Sequence, residues 1–182
     1  VSNIIDFSEG IYYAEFEIPM IAKTIQLLTN MLPVKIAYAH CDIPCGIYDV
    51  HHMQMAAHTV IRMTQMIEET EMTDQKHAMH QIARLTKIKE EHAELLKQEL
   101  RVLWADYFKD EHVKEYPNLH DLVFKTMKLA SKARQDIDMD IAKDLLSHTQ
   151  EIAEIFYKTK GVKSIRVKSV YPTGLDIVLH TS

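Results

Sequence analysis

Between residues 50 and 160, apolar side chains recur at intervals of three and four, the signature of helices that bury one face. Met53, Ala56, Ala57, Val60, Thr64 and Ile67 predict a first helix over about residues 50–70. A second stripe, Ala78, Ile82, Leu85, Ile88, His92, Leu95, Glu99 and Leu103, predicts a helix from about Asp74 to Tyr107, with a histidine and a glutamate interrupting its apolar face. Pro117 suits the first turn of a third helix, where its missing N–H costs nothing, and Leu119, Leu122, Val123, Thr126 and Ala130 continue it. Ile141, Leu145, His148, Ile152, Ile155 and Phe156 mark a fourth. Four amphipathic helices on short links predict an all-α fold, an up-and-down antiparallel four-helix bundle.

The pattern changes on both sides of this block. After Lys160, Ile165, Val167, Val170, Ile177, Val178 and Leu179 flank Pro172-Thr173-Gly174, which reads as a hairpin, so residues 161–182 form an extension without an assigned role. Ahead of the block, Asp6, Glu9, Glu15 and Glu17 all precede Met20, and an apolar stretch with Ile21, Ile25, Leu27, Leu28 and Met31 follows it. The expectation is a translation start at Met20, with the upstream residues outside the protein proper. A secretory signal is the competing reading, because Ala37-Tyr38-Ala39 is also what a signal peptidase prefers; Gln26, Thr29 and Asn30 interrupt the apolar run it would need.

Charge removes whole classes of function. The net charge is −5 with both signs interspersed, so the basic stripe of a nucleic-acid binder is absent. No run of 18 apolar residues occurs, and no membrane-spanning helix is expected.

Candidate chemistry is concentrated in His40-Cys41-Asp42-Ile43-Pro44-Cys45-Gly46-Ile47-Tyr48, which holds both cysteines of the chain. Two thiolates and an imidazole in so short a span supply soft sulfur and borderline nitrogen to one ion. A structural zinc site needs four ligands, usually as two spaced pairs, and the sequence offers no second pair. Cleavage between Ala39 and His40 would free an α-amine. That amine, the Cys41 amide nitrogen and both sulfurs then form a planar set, with the His40 imidazole axial, which suits nickel or copper. The plainer alternatives are two buried core cysteines or a thiol redox switch. A di-iron carboxylate site is excluded, because the Glu-x-x-His motifs it needs on two helices do not occur.

His40, Cys41, Asp42, Pro44, Cys45, Gly46, Tyr48 and Asp49 resemble the hook that opens the mature chain of nickel-containing superoxide dismutases. The resemblance continues through Leu103-Trp104-Ala105-Asp106-Tyr107-Phe108-Lys109, Tyr116-Pro117, Leu119-His120 and Ile155–Lys160, covering residues 40–160. It implies a helical bundle at 40–160 with an N-terminal metal-binding hook loop, and a prosegment within residues 1–39 removed by a processing protease. It further implies nickel as cofactor, superoxide as substrate and a homohexamer. His40, Cys41 and Cys45 would be the metal ligands, with His40 and Tyr48 as the catalytic pair, Tyr48 lining a small-anion pocket.

Dismutation passes an electron from one superoxide to another, so the metal potential must lie between those couples. Thiolate and amide donors bring nickel into that range. A negatively charged protein cannot steer an anion globally, which leaves local cations, Lys109 being the candidate. Cytoplasmic location is expected because thiolates load most easily while reduced.

Two positions depart from the family. Its usual Glu and Arg supports for the axial imidazole fall at Ala56 and His92. Asp42 and His92 are therefore the residues expected to stand just outside the ligands, His92 as a substitute support and Asp42 as a loop polar group or helix cap. The same departure keeps open a nickel- or copper-binding protein without turnover.

Overall fold

Aspartates open three of the helices. Asp49 Oδ1 accepts from the Val50 and His51 N–H groups at 2.6 and 2.8 Å, and helix α1, His51–Glu68, follows. Asp74 Oδ1 accepts from Lys76 and His77 to start α2, Gln75–Val102, and Asp138 Oδ1 accepts from Asp140 and Ile141 to start α5, Met139–Thr159. Each carboxylate satisfies N–H groups that have no partner inside the helix. Between these lie α3, Asp110–Glu115, and α4, Leu119–Gln135, while β1, Ser164–Lys168, and β2, Asp176–His180, complete the chain. The computed structural model describes residues 46–181.

The long helices meet in a ring of contacts, with α1 against α2 and α5, and α4 against α2 and α5. Met53, Val60, Leu96, Leu100, Leu145 and Ile152 are essentially inaccessible in the shared core. Each such side chain contributes about 1.5–3 kcal/mol by leaving water. Ala56, Ala57 and Ala93 are buried too, and small side chains there suit close approach of helices.

Every residue of the expected α1 stripe is buried, and Gln54, His58 and Ile61 are buried beside it. On α2 the face is rotated by about one residue: Ala78, Leu85, Lys89, Ala93, Leu96 and Leu100 are buried, whereas Leu95 is 37% exposed and His92 half-buried. Lys89 explains the offset. Its ammonium donates to the carbonyls of Ala133 (2.8 Å) and Asp136, at the end of α4, so a charge sits where an apolar residue would be counted. Burial lowers its pKa, against the opposing pull of Glu90 and Asp136. Pro117 precedes its helix, α4 beginning two residues later.

Two strands qualify the all-α expectation. β1 and β2 pair antiparallel, Arg166 facing Val178, and the hairpin lies in the same compact unit as the helices. Val178 is fully buried, and its backbone is read by Gln54 of α1: Nε2 donates to the Val178 carbonyl at 3.0 Å, and the Val178 N–H donates to Oε1 at 2.8 Å. Gln150 Nε2 and His58 Nε2 both donate to the Asp176 carbonyl, and the Thr173 hydroxyl bonds His58 Nδ1 at 2.8 Å. Among the described residues no helix is long and apolar enough to cross a membrane.

Candidate metal centre and anion cleft

His40, Cys41, Asp42 and Cys45, with the Ala39–His40 bond and Met20, lie outside the described residues. The described chain begins at Gly46, directly after Cys45. Gly46 has φ 92°, a left-handed conformation that a side chain would strain, so the loop turns there toward Tyr48. Tyr48 then packs on the core, its ring 5.3 Å from that of Tyr107. The Asp49 carboxylate accepts from the Val50 and His51 N–H groups where the loop enters α1.

Tyr107 is the centre of this region, and an irregularity places it. After Val102 the helix widens into a π turn, Leu103–Tyr107, closed by the Phe108 N–H donating to the Leu103 carbonyl at 2.9 Å. The turn brings Leu103, Tyr107 and Phe108 all into the core. Thr159 donates its hydroxyl to the Phe156 carbonyl at 2.7 Å, so it accepts from Tyr107 Oη at 2.7 Å, and the phenol proton points along that bond. Burial raises the Tyr107 pKa, against the smaller effect of the Thr159 bond, so the phenol is neutral near pH 7.

Three further groups frame the rings. The His112 imidazole stacks on Tyr107 at 5.5 Å and 20°, held there because its Nδ1 accepts the Lys109 N–H at 3.1 Å. In that bond the ring nitrogen Nδ1 is the acceptor. Lys160 Nζ lies 4.7 Å from the Tyr107 ring centroid and 5.7 Å from that of Phe156, a cation–π contact. Together Gly46, Tyr48, Tyr107, Lys109, His112 and Lys160 line an open cleft of about 460 Å³, with Asp106 and Glu111 also on its wall. The cleft thus carries two lysines and two carboxylates around an aromatic wall.

Of the sequence-predicted residues, Tyr48 and Lys109 therefore stand together. His92 is not among the cleft's lining residues, and its Nδ1 donates to the Ile88 carbonyl of its own helix at 2.9 Å. Ala56 is buried in the core. Sequence reasoning missed Tyr107, His112, Thr159 and Lys160; the segments containing Tyr107, Thr159 and Lys160 carried the resemblance with a role given only to Lys109, and His112 lies outside them. Among the described residues no three His, Cys, Asp or Glu side chains gather as a metal-holding group.

The described residues place an aromatic cleft directly after the cysteine-bearing segment of the sequence. Residues 35–160 match the family model of nickel-containing superoxide dismutase. The nickel superoxide dismutase of Streptomyces coelicolor is 37% identical over 135 residues, covering 74% of this chain and 98% of that protein. That of Streptomyces seoulensis is 39% identical over 122 residues, 67% of this chain and 88% of its own. Among solved structures, a nickel superoxide dismutase with oxidised-state ligation matches at TM-score 0.61 and 37% identity, over 67% of this chain and 99% of the other. A native nickel superoxide dismutase matches at TM-score 0.59 and 37% identity, over 66% and 99%. The chain belongs to the nickel-containing superoxide dismutase family.

Proposed function

We propose that this chain converts superoxide to dioxygen and peroxide at a nickel ion held by the His40, Cys41 and Cys45 segment, after release of His40 from the preceding residues. The donor set fits the metal: two thiolates, one amide nitrogen, the new amine and an imidazole are the soft and borderline ligands nickel accepts in a flat field. When bound, nickel supplies one-electron exchange between its divalent and trivalent states. The observation that carries the reading is the cleft that opens at Gly46, one residue after Cys45, lined by Tyr48, Tyr107, Lys109 and Lys160.

The described residues have separate tasks. Lys109 and Lys160 raise the local concentration of the anion at a protein whose net charge is −5. Tyr48 and Tyr107 narrow the approach to small molecules, and the Tyr107 ring is held in place by its bond to Thr159. Asp49 tightens the entry to α1 by accepting from the Val50 and His51 N–H groups. Asp42 is a polar group of the loop. His92 steadies the ligand loop from α2, and its replacement by alanine is expected to weaken nickel retention.

The finer organisation follows the family. Residues 40–160 form an up-and-down four-helix bundle with a hook loop at its N-terminus, residues 1–39 contain the prosegment, and a protease cuts the Ala39–His40 bond. The active form is a cytoplasmic homohexamer. The test is superoxide decay by the cleaved, nickel-loaded protein against the uncleaved chain and Cys45→Ser. Decay only by the cleaved parent, with stoichiometric nickel, supports the enzyme. Stoichiometric nickel without turnover would leave a metal carrier, and no nickel would leave a thiol switch.

A further inference from the structure

The family match ends at residue 160, before the hairpin begins. The hairpin is nevertheless built into the start of α1. Gln54 is fully buried, and its amide is satisfied in both directions by one residue of β2, the arrangement a neighbouring strand would make. It lies one turn beyond Val50, whose carbonyl accepts the Gln54 N–H at 3.4 Å. Val50 and Val178 are both fully buried members of the same core cluster, which Tyr48 packs against.

A second contact reaches the same place. His180, the last residue of β2, packs edge-on against Tyr157 of α5 at 5.6 Å. Burial, and after it the Asp49 carboxylate, raises the Tyr157 pKa.

We infer that the hairpin is a positioning element for the metal loop: through Gln54 it fixes the first turn of α1, the base from which Tyr48 and the Cys45 segment extend. This rests on the nickel reading only for its functional consequence. The rest of the hairpin is held independently, since Arg166 of β1 bonds Glu154 and Gln150 on α5. Loss of the hairpin's general stability and loss of the α1 contact are thus separable.

The experiment uses the full chain with three substitutions. Gln54→Leu removes both amide bonds at similar size, Gln54→Asn keeps an amide one methylene too short, and Arg166→Gln loosens the hairpin on α5 only. Amide hydrogen exchange over residues 46–54 of the metal-free protein is read first, then nickel release to a chelator after processing and loading, with melting temperature alongside. Either Gln54 variant is expected to exchange faster over 46–54 and to release nickel about tenfold faster, the usual scale for groups that orient metal ligands. Arg166→Gln is expected to melt lower with both readouts as in the parent. Unchanged exchange over 46–54 in the Gln54 variants overturns the inference, as does an equal change in Arg166→Gln at equal melting temperature. A parent that takes up no nickel would sink the metal reading, while exchange over 46–54 still decides the hairpin's part.

Discussion

Two regions gather polar groups on aromatic rings and use them in opposite ways. At the seam between α1, α5 and the hairpin, Gln54, His58 and Gln150 are buried and each side chain makes two hydrogen bonds inside the protein. At the cleft, Lys160 rests its ammonium over the Tyr107 and Phe156 rings, and no carboxylate among the described residues pairs with it. Full pairing makes the seam a fastener, because every group there would be costly to free. Incomplete pairing leaves the cleft's cations available to a visiting anion.

Removing the cleft's charges should break the comparison most visibly. Lys109→Gln combined with Lys160→Gln is expected to slow superoxide decay about tenfold at low ionic strength and to flatten its salt dependence, without lowering the melting temperature. Stopped-flow decay across a salt series checks this, and an unchanged salt slope would place attraction elsewhere. At the seam, Gln150→Leu should cost about 1–3 kcal/mol by stripping partners from Asp176 and Arg166, while activity holds; denaturant melts measure it.

His58 gives the seam a pH dependence. Burial lowers its pKa below the usual 6.5, against the weaker pull of the Asp176 carbonyl, so the unfolded chain takes up the proton first on acidification. Stability from His58 is complete above pH 6.5 and drains away as pH falls toward its lower folded value. Melting temperatures from pH 7.5 downward should show that slope, and His58→Gln should reduce it. The smallest effect is expected at a surface pair apart from both regions: Asp121→Ala, losing the exposed Lys125 contact at 2.6 Å, should change stability by about 0.5 kcal/mol or less.

Helical spacing revealed the apolar stripe of α1, but not Gln54 and His58, which are buried beside it because the hairpin supplies their partners. It misphased α2, because Lys89 faces inward to end another helix, a contact between residues 44 apart that no local period records. The hairpin was readable from its apolar runs and Pro172-Thr173-Gly174, yet its tie to Gln54 spans 124 residues and leaves no local trace. For the site, the thiolate loop stood out in the composition, and it lies outside the described residues. The cleft was not legible, since Tyr107, His112 and Lys160 become neighbours only once α2, α3 and α5 are assembled.

The widened turn at Leu103–Tyr107 amounts to one surplus residue in an otherwise regular coil. Excising a single residue there would restore ordinary winding and change which side chains of the turn face the core. Tyr107 would keep its place in the order of residues yet lose its heading toward Thr159. What aims this phenol is therefore a count of residues as much as a choice of them, and an alignment that shifts by one across this stretch would assign the ring's duty to the wrong side chain.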